Sequence, residues 1–565
     1  MHADPPSAGD VTAHTLLNCL VREVCGPQGQ ARLDGPHLVV RLPRRDLVVR
    51  VALRRASLTG AHRFTGPVQA WAAGRWSPIG WRALAAAVHD ELERRTGTRN
   101  DEFLGQVASS HDIIAVALAR PRAPHPEPYL DSEQSLVFGH RFHPTPKARS
   151  GPLHESVRYA PELGAQFRLR HLAVRREVLR EECAEPAFAD VFDRLGGPAD
   201  EGHALVPVHP WQHRLLLGNP ALRAALRDGR VVDLGPAGPP VTPTASVRTV
   251  HHPGAGVFLK LSLSVRITNC LRRNAGYELA GAVALTRLLR PVAADLRARF
   301  PSTALLAEPA SRTVDLGDAD LAEGLGVIAR EGLGAYLVDG ATPLLAAAIA
   351  DEHSRGPASA AALLGRGGGT AEHLVAWWDA YLAALVSPVL HAYLAHGVVL
   401  EPHLQNVVVG VRGDGLPVQV FLRDLEGTKL VASRHRDALA ALPEPVRAQV
   451  AYDAERGWNR VVYCLVVNHL SEVLAVLADQ RPPLERLLWS RVRDRFDAYR
   501  RDHGSSPPLR ALLAGAPLPA KANLLTRWQR RADRHAGYVA LPNPLAAHGP
   551  PTAAPLAQPE SAGVR

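Results

Sequence analysis

The residues able to do chemistry in this 565-residue chain gather in three segments. The first, GHRFHPTPKARSG from Gly139 to Gly151, sets His140, His143, Lys147 and Arg149 among prolines and glycines. A loop so dense in donors suits an anion. Two histidines three apart could instead ligate a metal, although no carboxylate or cysteine stands at ligand spacing, and a basic loop facing water is the plainest alternative.

The second segment joins PTASVRTV to GVFLKLSLSVRITNCLRRN. Val257, Leu259 and Leu261 alternate with Phe258, Lys260 and Ser262, which predicts a strand with Lys260 projecting from one face. Thr268 and Arg272 are four apart and predict a shared face of a following helix. Ser246, Arg248 and Thr249 fall in a Pro-bounded turn, where hydroxyls and backbone amides can cradle an anion. The whole has the form of a phosphate clamp. The competing reading has Lys260 lying along a sheet edge with its ammonium in water and Arg272 paired with Glu278.

The third segment is EPHLQNVVV followed by FLRDLEG, with Glu401, His403, Gln405, Asn406 and Asp424. Kinase-like enzymes hold magnesium with an Asn of the catalytic loop and an Asp on a later strand. Asn406 and Asp424 fit those roles, and Glu401 joins them as a candidate magnesium ligand. Glu401 also stands where a kinase has its catalytic Asp, five residues before the Asn, which weakens a phosphotransferase reading. A polar hairpin without function is the alternative.

These segments need elements to position them. HLVVRL and DLVVRVAL flank a polar PRRD turn and predict a hairpin over 36 to 56. Apolar residues recur at helical spacing from Trp81 to Arg95. Together they predict a mixed α/β N-terminal region over 1–125, ended by the PRAPHPEP linker. A second region is expected over 126–370, to the glycine-rich GRGGGT, and a third, of helices and strands, over 371–540. The Pro- and Ala-rich tail, 541–565, is expected to be disordered. The fold class is α/β in the mixed, α+β sense, with no internal repeat.

Composition narrows the function. Apolar residues at 46% and charged residues at 21% describe a globular chain. A charge of +10 is spread without Lys/Arg runs or interleaved aromatics, so it fits anionic small molecules and not nucleic acid. The start, MHADPPSAGDVTAH, lacks the features of a signal peptide. The most apolar stretch, Leu374 to Leu400, contains Asp379, Pro388, His391 and His396 and reads as buried helices, so a cytoplasmic protein without membrane contact is expected. Five cysteines without a CxxC pair support neither disulfides nor a cysteine zinc site.

In order, GHRFHPTPKARSG, VPVHPWQ, PTASVRTV, FLKLSLSVRITNCLRRN, EPHLQNVVV, RDLEG and KANLLTRW resemble the motifs of the IucA/IucC family of siderophore synthetases, over roughly residues 130 to 530. The resemblance implies a three-region, cupped-hand architecture of thumb, fingers and palm, with a distantly kinase-like C-terminal nucleotide site. It implies ATP and Mg2+, adenylation of a carboxylate, commonly citrate, and transfer of the acyl group to an amine or hydroxyl of a siderophore precursor. Carried over by position, Ser246, Arg248, Thr249 and Lys260 hold phosphates, with Arg272 between phosphate and carboxylate. His143, Thr268, Arg272 and His403 surround the carboxylate, Gln405 and Asn406 face the nucleotide, and Asp424 helps hold magnesium. Arg272, His403 and Lys260 become the catalytic candidates, and Lys521 of KANLLTRW lies toward the acceptor or carboxylate end. His140, Lys147 and Arg149 match the first motif, and the latter two are assigned to substrate.

The run SVRITNCLRRNAGYEL is most similar to members acting directly on citrate. The number of cations, Arg272, Lys147 and Arg149 beside His143 and His403, also points to a citrate-like polycarboxylate, because buried positive charge needs an anion. A homodimer is expected. Two other functions stay open at this point. A small-molecule phosphotransferase would yield ADP instead of AMP and pyrophosphate. A ferric-siderophore reductase would need several cysteines for an iron–sulfur centre, and only Cys464 lies in the last 290 residues.

Overall fold

Alternation of apolar and polar residues builds the N-terminal sheet of the computed structural model, which describes residues 6–197, 200–268, 270–532 and 535–546. Five antiparallel strands follow one another in chain order, from Ala31–Asp34 to Arg75–Pro78. The predicted hairpin is His37–Leu42 and Leu47–Arg55, reversed through Pro43–Arg45 with Asp46 at φ 49°. Its inward residues Leu38, Val40, Leu42, Val49 and Val51 pack with the helices Ala8–Leu20 and Trp81–Thr96. The second of these stops where Gly97 takes the left-handed conformation and its N–H caps the Glu93 carbonyl. Leu524 and Trp528, from the far end of the chain, are buried in the same core. Asn100 Nδ2 donates to the carbonyls of Arg527 and Trp528 at 3.1 and 3.0 Å. KANLLTRW thus closes the N-terminal core.

An antiparallel eight-stranded sheet, ordered Leu179–Cys183, Ala310–Val314, Val327–Arg330, Val257–Leu261, Thr249–His252, Val231–Pro243, Phe167–Arg175, His203–Val208, carries the second segment. Its register sets Lys260 between Thr249 and Ile328, and Phe258 beside Arg330. Since faces alternate with period two, Thr249, Lys260 and Arg330 share a face.

The expected helix after this strand is a hairpin of Leu263–Ile267 and Cys270–Arg272. Leu263, Val265 and Ile267 are buried while Ser264 and Arg266 are not, a two-residue period that outweighs the four-residue spacing of Thr268 and Arg272. Thr268 turns the chain at φ 56°, and its N–H donates to the Ala148 carbonyl at 3.0 Å, docking the hairpin on the Gly139–Gly151 loop.

A four-stranded sheet, Thr303–Leu305, Pro417–Leu422, Val407–Val411 and Thr342–Leu345, holds the third segment. Val407 pairs with Leu422, so Asn406 and Arg423 leave neighbouring strand ends together. Two of its strands precede residue 370 and two follow residue 400, so hydrogen bonding crosses the expected boundary. Helices Ala371–Leu394 and Ala454–Gln480 are long and apolar enough to cross a membrane by length and composition, yet 61% and 100% of their most apolar windows is buried by protein. The tail begins packed: Tyr538–Leu541 pairs with Leu518–Lys521, Asn543 donates to the Leu512 and Ala516 carbonyls, and Leu545 is buried. The rest of the expected disordered tail, 547–565, lies outside the described residues.

Candidate active site

Lys260 joins the second segment to the third. Its ammonium donates to Asp424 Oδ1 at 2.7 Å and also to Glu426. Arg330 donates to the same Asp424 oxygen at 2.7 Å and to Glu308 Oε1 at 2.7 Å, while Glu308 Oε2 accepts the Glu426 N–H at 3.0 Å. Burial alone would lower the Lys260 pKa, but Asp424, Glu426 and Glu308 outweigh it and hold the ammonium above the ordinary lysine range. Burial would likewise raise Asp424, and Lys260 and Arg330 instead hold it well below the usual carboxylate range.

Asp424 has φ 77° and ψ 57°, left-handed backbone in a residue other than glycine. Such a conformation costs on the order of 1 kcal/mol and persists where surrounding bonds over-determine it. Arg423 supplies those bonds. It donates twice to the Gln405 carbonyl, at 3.0 and 2.7 Å, and to Glu133 Oε1 and Tyr129 Oη at 2.5 and 2.7 Å. Glu133 Oε2 accepts the Ala245 N–H at 3.0 Å, tying this strand end to the PTASVRTV turn.

In that turn Ser246 accepts from Thr249 N at Oγ (3.1 Å) and from Arg248 N at its carbonyl (2.9 Å), with Val247 at φ 70°. Arg248 reaches Asn274 Oδ1 at 2.5 Å and the carbonyls of Arg272 and Arg273 at 3.3 Å. Asn274 is fully buried and donates to the carbonyls of Lys260 and Gly326. The clamp residues are therefore cross-braced. Arg330, Glu308, Glu426, Asn274, Arg423 and Glu133 went unnoticed in the sequence. Arg423, Glu426 and Asn274 lie within quoted motifs; Arg330, Glu308 and Glu133 are single charged residues whose meaning appears once strands pair.

Thr268 and Arg272 do meet, Oγ1 to Nη2 at 3.3 Å, across the hairpin. His143 Nδ1 accepts the Thr145 N–H at 3.1 Å. His403 Nε2 lies 3.3 Å from Asn406 Nδ2, and burial lowers its pKa, which favours the neutral ring. His140 Nε2 sits 2.8 Å from Asn468 Nδ2, and Asn468 Oδ1 accepts the Leu404 N–H at 3.2 Å, linking first and third segments. Burial drives His140 down to about 3, with Arg22 and Lys521 adding positive charge nearby.

Lys147 and Arg149 share one carboxylate. Arg149 donates to Glu162 Oε1 at 2.7 Å and to the Ser156 carbonyl at 3.1 Å. Lys147 lies 3.6 Å from the same Glu162 oxygen and donates to the Leu136 carbonyl. Buried cations need partners, and the one Glu162 carboxylate answers only one of these two charges, so the pair keeps a net positive charge.

Glu401, Asn406 and Asp424 line one small cleft with Arg423, Leu425 and Thr428. Magnesium takes oxygen ligands, and the donor set fits: Asp424 Oδ1 carries both cations, so its other oxygen faces no hydrogen-bond donor among the described residues. Glu401 Oε1 accepts Arg460 Nε at 2.8 Å, and burial, which would raise its pKa, is outweighed by that pair. Glu426 stands beside Asp424 as a further carboxylate. Glu278, caught between burial and Glu426, is pushed up to about 7. A larger cavity lined by Arg54, Arg55, Glu352 and Asp479 lies apart from this cleft, and its charges pair with each other.

The IucA / IucC family model matches residues 128–351, and the model of a ferric iron reductase FhuF-like transporter matches residues 375–536. The rhizobactin siderophore biosynthesis protein RhbC of Rhizobium meliloti is 30% identical over 96% of this chain and 98% of its own length. The L-2,3-diaminopropanoate–citrate ligase of Staphylococcus aureus is 30% identical over 74% of each chain. Among solved structures, ATP-bound aerobactin synthetase IucA from Klebsiella pneumoniae matches with a TM-score of 0.83 and 26% identity, over 95% of this chain and 100% of that one. With motifs, fold and a near full-length relative in agreement, this chain belongs to the IucA/IucC family of siderophore synthetases.

Proposed function

We propose that the protein is an ATP-dependent ligase that adenylates citrate and condenses it with an amine of a siderophore precursor, releasing AMP and pyrophosphate. The observation that carries this reading is the bonding of Lys260 and Arg330 to Asp424, which lines one cleft with Asn406 and Glu401. Relatives whose names state citrate ligation, and an ATP-bound synthetase of the same fold, support it. Lys260 and Arg248 neutralise charge developing at the α-phosphorus as a carboxylate oxygen attacks it. Thr268 and Arg272 orient the carboxylate, and neutral His403 contributes a hydrogen bond without adding charge. Asp424, Asn406 and Glu401, with Glu426, would hold Mg2+, which supplies charge neutralisation for the triphosphate. Ser246 and Thr249 present hydroxyls to the phosphates, and Gln405 lies on the nucleotide side. The acyl-adenylate then meets the amine in a cleft that must exclude water, because the mixed anhydride hydrolyses readily.

In this reading His143 and Lys521 complete the citrate side with Arg272, and the preference for a polycarboxylate rests on them together with the positive charge that Glu162 leaves on Lys147 and Arg149. The three regions form the thumb, fingers and palm of a cupped hand, the C-terminal one distantly kinase-like, and the enzyme works as a cytoplasmic homodimer. Light scattering of the purified protein checks the dimer. Pyrophosphate release with citrate, succinate, 2-oxoglutarate and acetate, using hydroxylamine as nucleophile, tests the substrate. Citrate is expected to exceed acetate by orders of magnitude; equal rates would remove the polycarboxylate pocket, and ADP as product would replace the ligase with a phosphotransferase. Against a reductase, residues 375–536 contain one cysteine, Cys464, and it is buried.

A further inference from the structure

Far along helix Gly276–Arg299 from the cleft, a carboxylate and two imidazoles converge. Asp295 belongs to that helix, His391 to the last turn of Ala371–Leu394, and His396 to the turn beyond it. His391 Nε2 and His396 Nε2 approach the same oxygen, Asp295 Oδ2, at 3.1 and 2.8 Å. The other oxygen, Oδ1, is held by Arg299 Nε at 2.8 Å, which fixes the carboxylate with Oδ2 toward the rings. The three ligand atoms lie within 4.8 Å of one another. His391 Nδ1 is 3.2 Å from the Tyr499 hydroxyl, a contact that orients the ring and leaves Nε2 as its inward nitrogen. The His503 ring, at the end of helix Glu485–His503, is centred 5.2 Å from that of His391.

We propose that Asp295, His391 and His396 bind a divalent first-row transition ion of the Zn2+ class, with water or His503 completing its coordination. Two nitrogens and one carboxylate oxygen favour such an ion over magnesium, which prefers oxygen throughout. Metal–ligand bonds of about 2.0–2.1 Å in tetrahedral geometry separate ligand atoms by roughly 3.3 Å, so the rings need to retreat by only a few tenths of an ångström. The ion would replace two hydrogen bonds crowded on one oxygen. It would also staple helix Gly276–Arg299 to the turn leading into Val398–Val399 and Glu401, two elements that begin or end at the nucleotide cleft. This inference is independent of the ligase reading.

Metal-stripped full-length protein, titrated with Co2+ and then Zn2+ in the absence of ATP, provides the test. One equivalent of Co2+ should bring visible d–d absorption that Zn2+ abolishes, and Zn2+ should raise the thermal unfolding midpoint. His396→Ala and Asp295→Asn should each weaken binding at least roughly tenfold to a hundredfold while Mg2+-supported pyrophosphate release stays at the wild-type rate. His396 is partly exposed, so its variant keeps the core; circular dichroism confirms the fold of both. Co2+ binding of equal strength in wild type and both folded variants would overturn the site, as would a wild-type protein that takes up no stoichiometric ion.

Discussion

Two buried clusters of arginines and acids in this molecule use the same bonds for different ends. At the seam between the N-terminal sheet and the C-terminal helices, Asp479 takes Arg55 at 2.8 Å and Arg63 at 2.7 Å, and Glu485 takes Arg55 at 2.7 Å and the Leu58 N–H at 3.0 Å. At the cleft, Asp424 takes Lys260 and Arg330 at 2.7 Å. The seam bridges residues more than 400 apart in sequence and makes one body of the chain's two ends. The cleft cluster bridges strand ends, includes a left-handed Asp424, and leaves that side chain 31% exposed against 13% for Asp479. Both clusters border cavities, so pairing, burial and access do not separate them; the left-handed backbone and the greater exposure of Asp424 do.

Breaking the seam should have the largest effect and spare the chemistry. Asp479→Ala leaves the buried Arg63 with the Glu352 carboxylate at 3.3 Å and Arg55 with Glu485, and the loss of the shared carboxylate should cost about 3 kcal/mol of stability, read from urea unfolding, with turnover per folded molecule unchanged. A parallel loss of turnover would erase the distinction between the clusters. Lys260→Ala and Arg248→Ala invert the pattern: each should lower pyrophosphate release by roughly a hundredfold or more. The fold survives because Arg330 still holds Asp424 and water reaches the cleft. Near wild-type rates at saturating ATP would move phosphate binding elsewhere.

A smaller change sharpens the role of Asp424. Asp424→Asn should raise the magnesium needed for half-maximal rate by about tenfold, since a hard cation prefers an anionic oxygen; an unchanged magnesium profile would make the residue a structural brace only. The smallest effect concerns Glu278. Its carboxyl is pushed up to about 7 in the fold from 4.5, so the unfolded chain loses its proton first as pH rises. Stability is therefore lost between about pH 4.5 and 7, on the order of 1 kcal/mol after screening by the nearby cations. Glu278→Gln should flatten that part of the stability–pH curve, and a curve matching wild type would place Glu278 outside the electrostatics of the cleft.

Much of the site was legible because local pattern dictates local form. The Val257–Leu261 alternation predicted the strand that projects Lys260, and the hairpin over 36 to 56 followed from its turn residues. Where two periods competed, at Leu263 to Arg272, spacing favoured a helix and burial of one face made a hairpin. The motif order sufficed for the family, since Gly139–Gly151, PTASVRTV, EPHLQN and RDLEG carry it without any fold. Tertiary structure alone decided which charges meet. That Glu162 joins Lys147 to Arg149, that Arg330 and Glu308 brace Asp424, and that Glu133 joins Arg423 to Ala245 depend on residues tens to hundreds of positions apart. Local sequence sets the period and direction of a side chain, whereas the partner of a buried charge is chosen by sheet register and packing, which no local window contains.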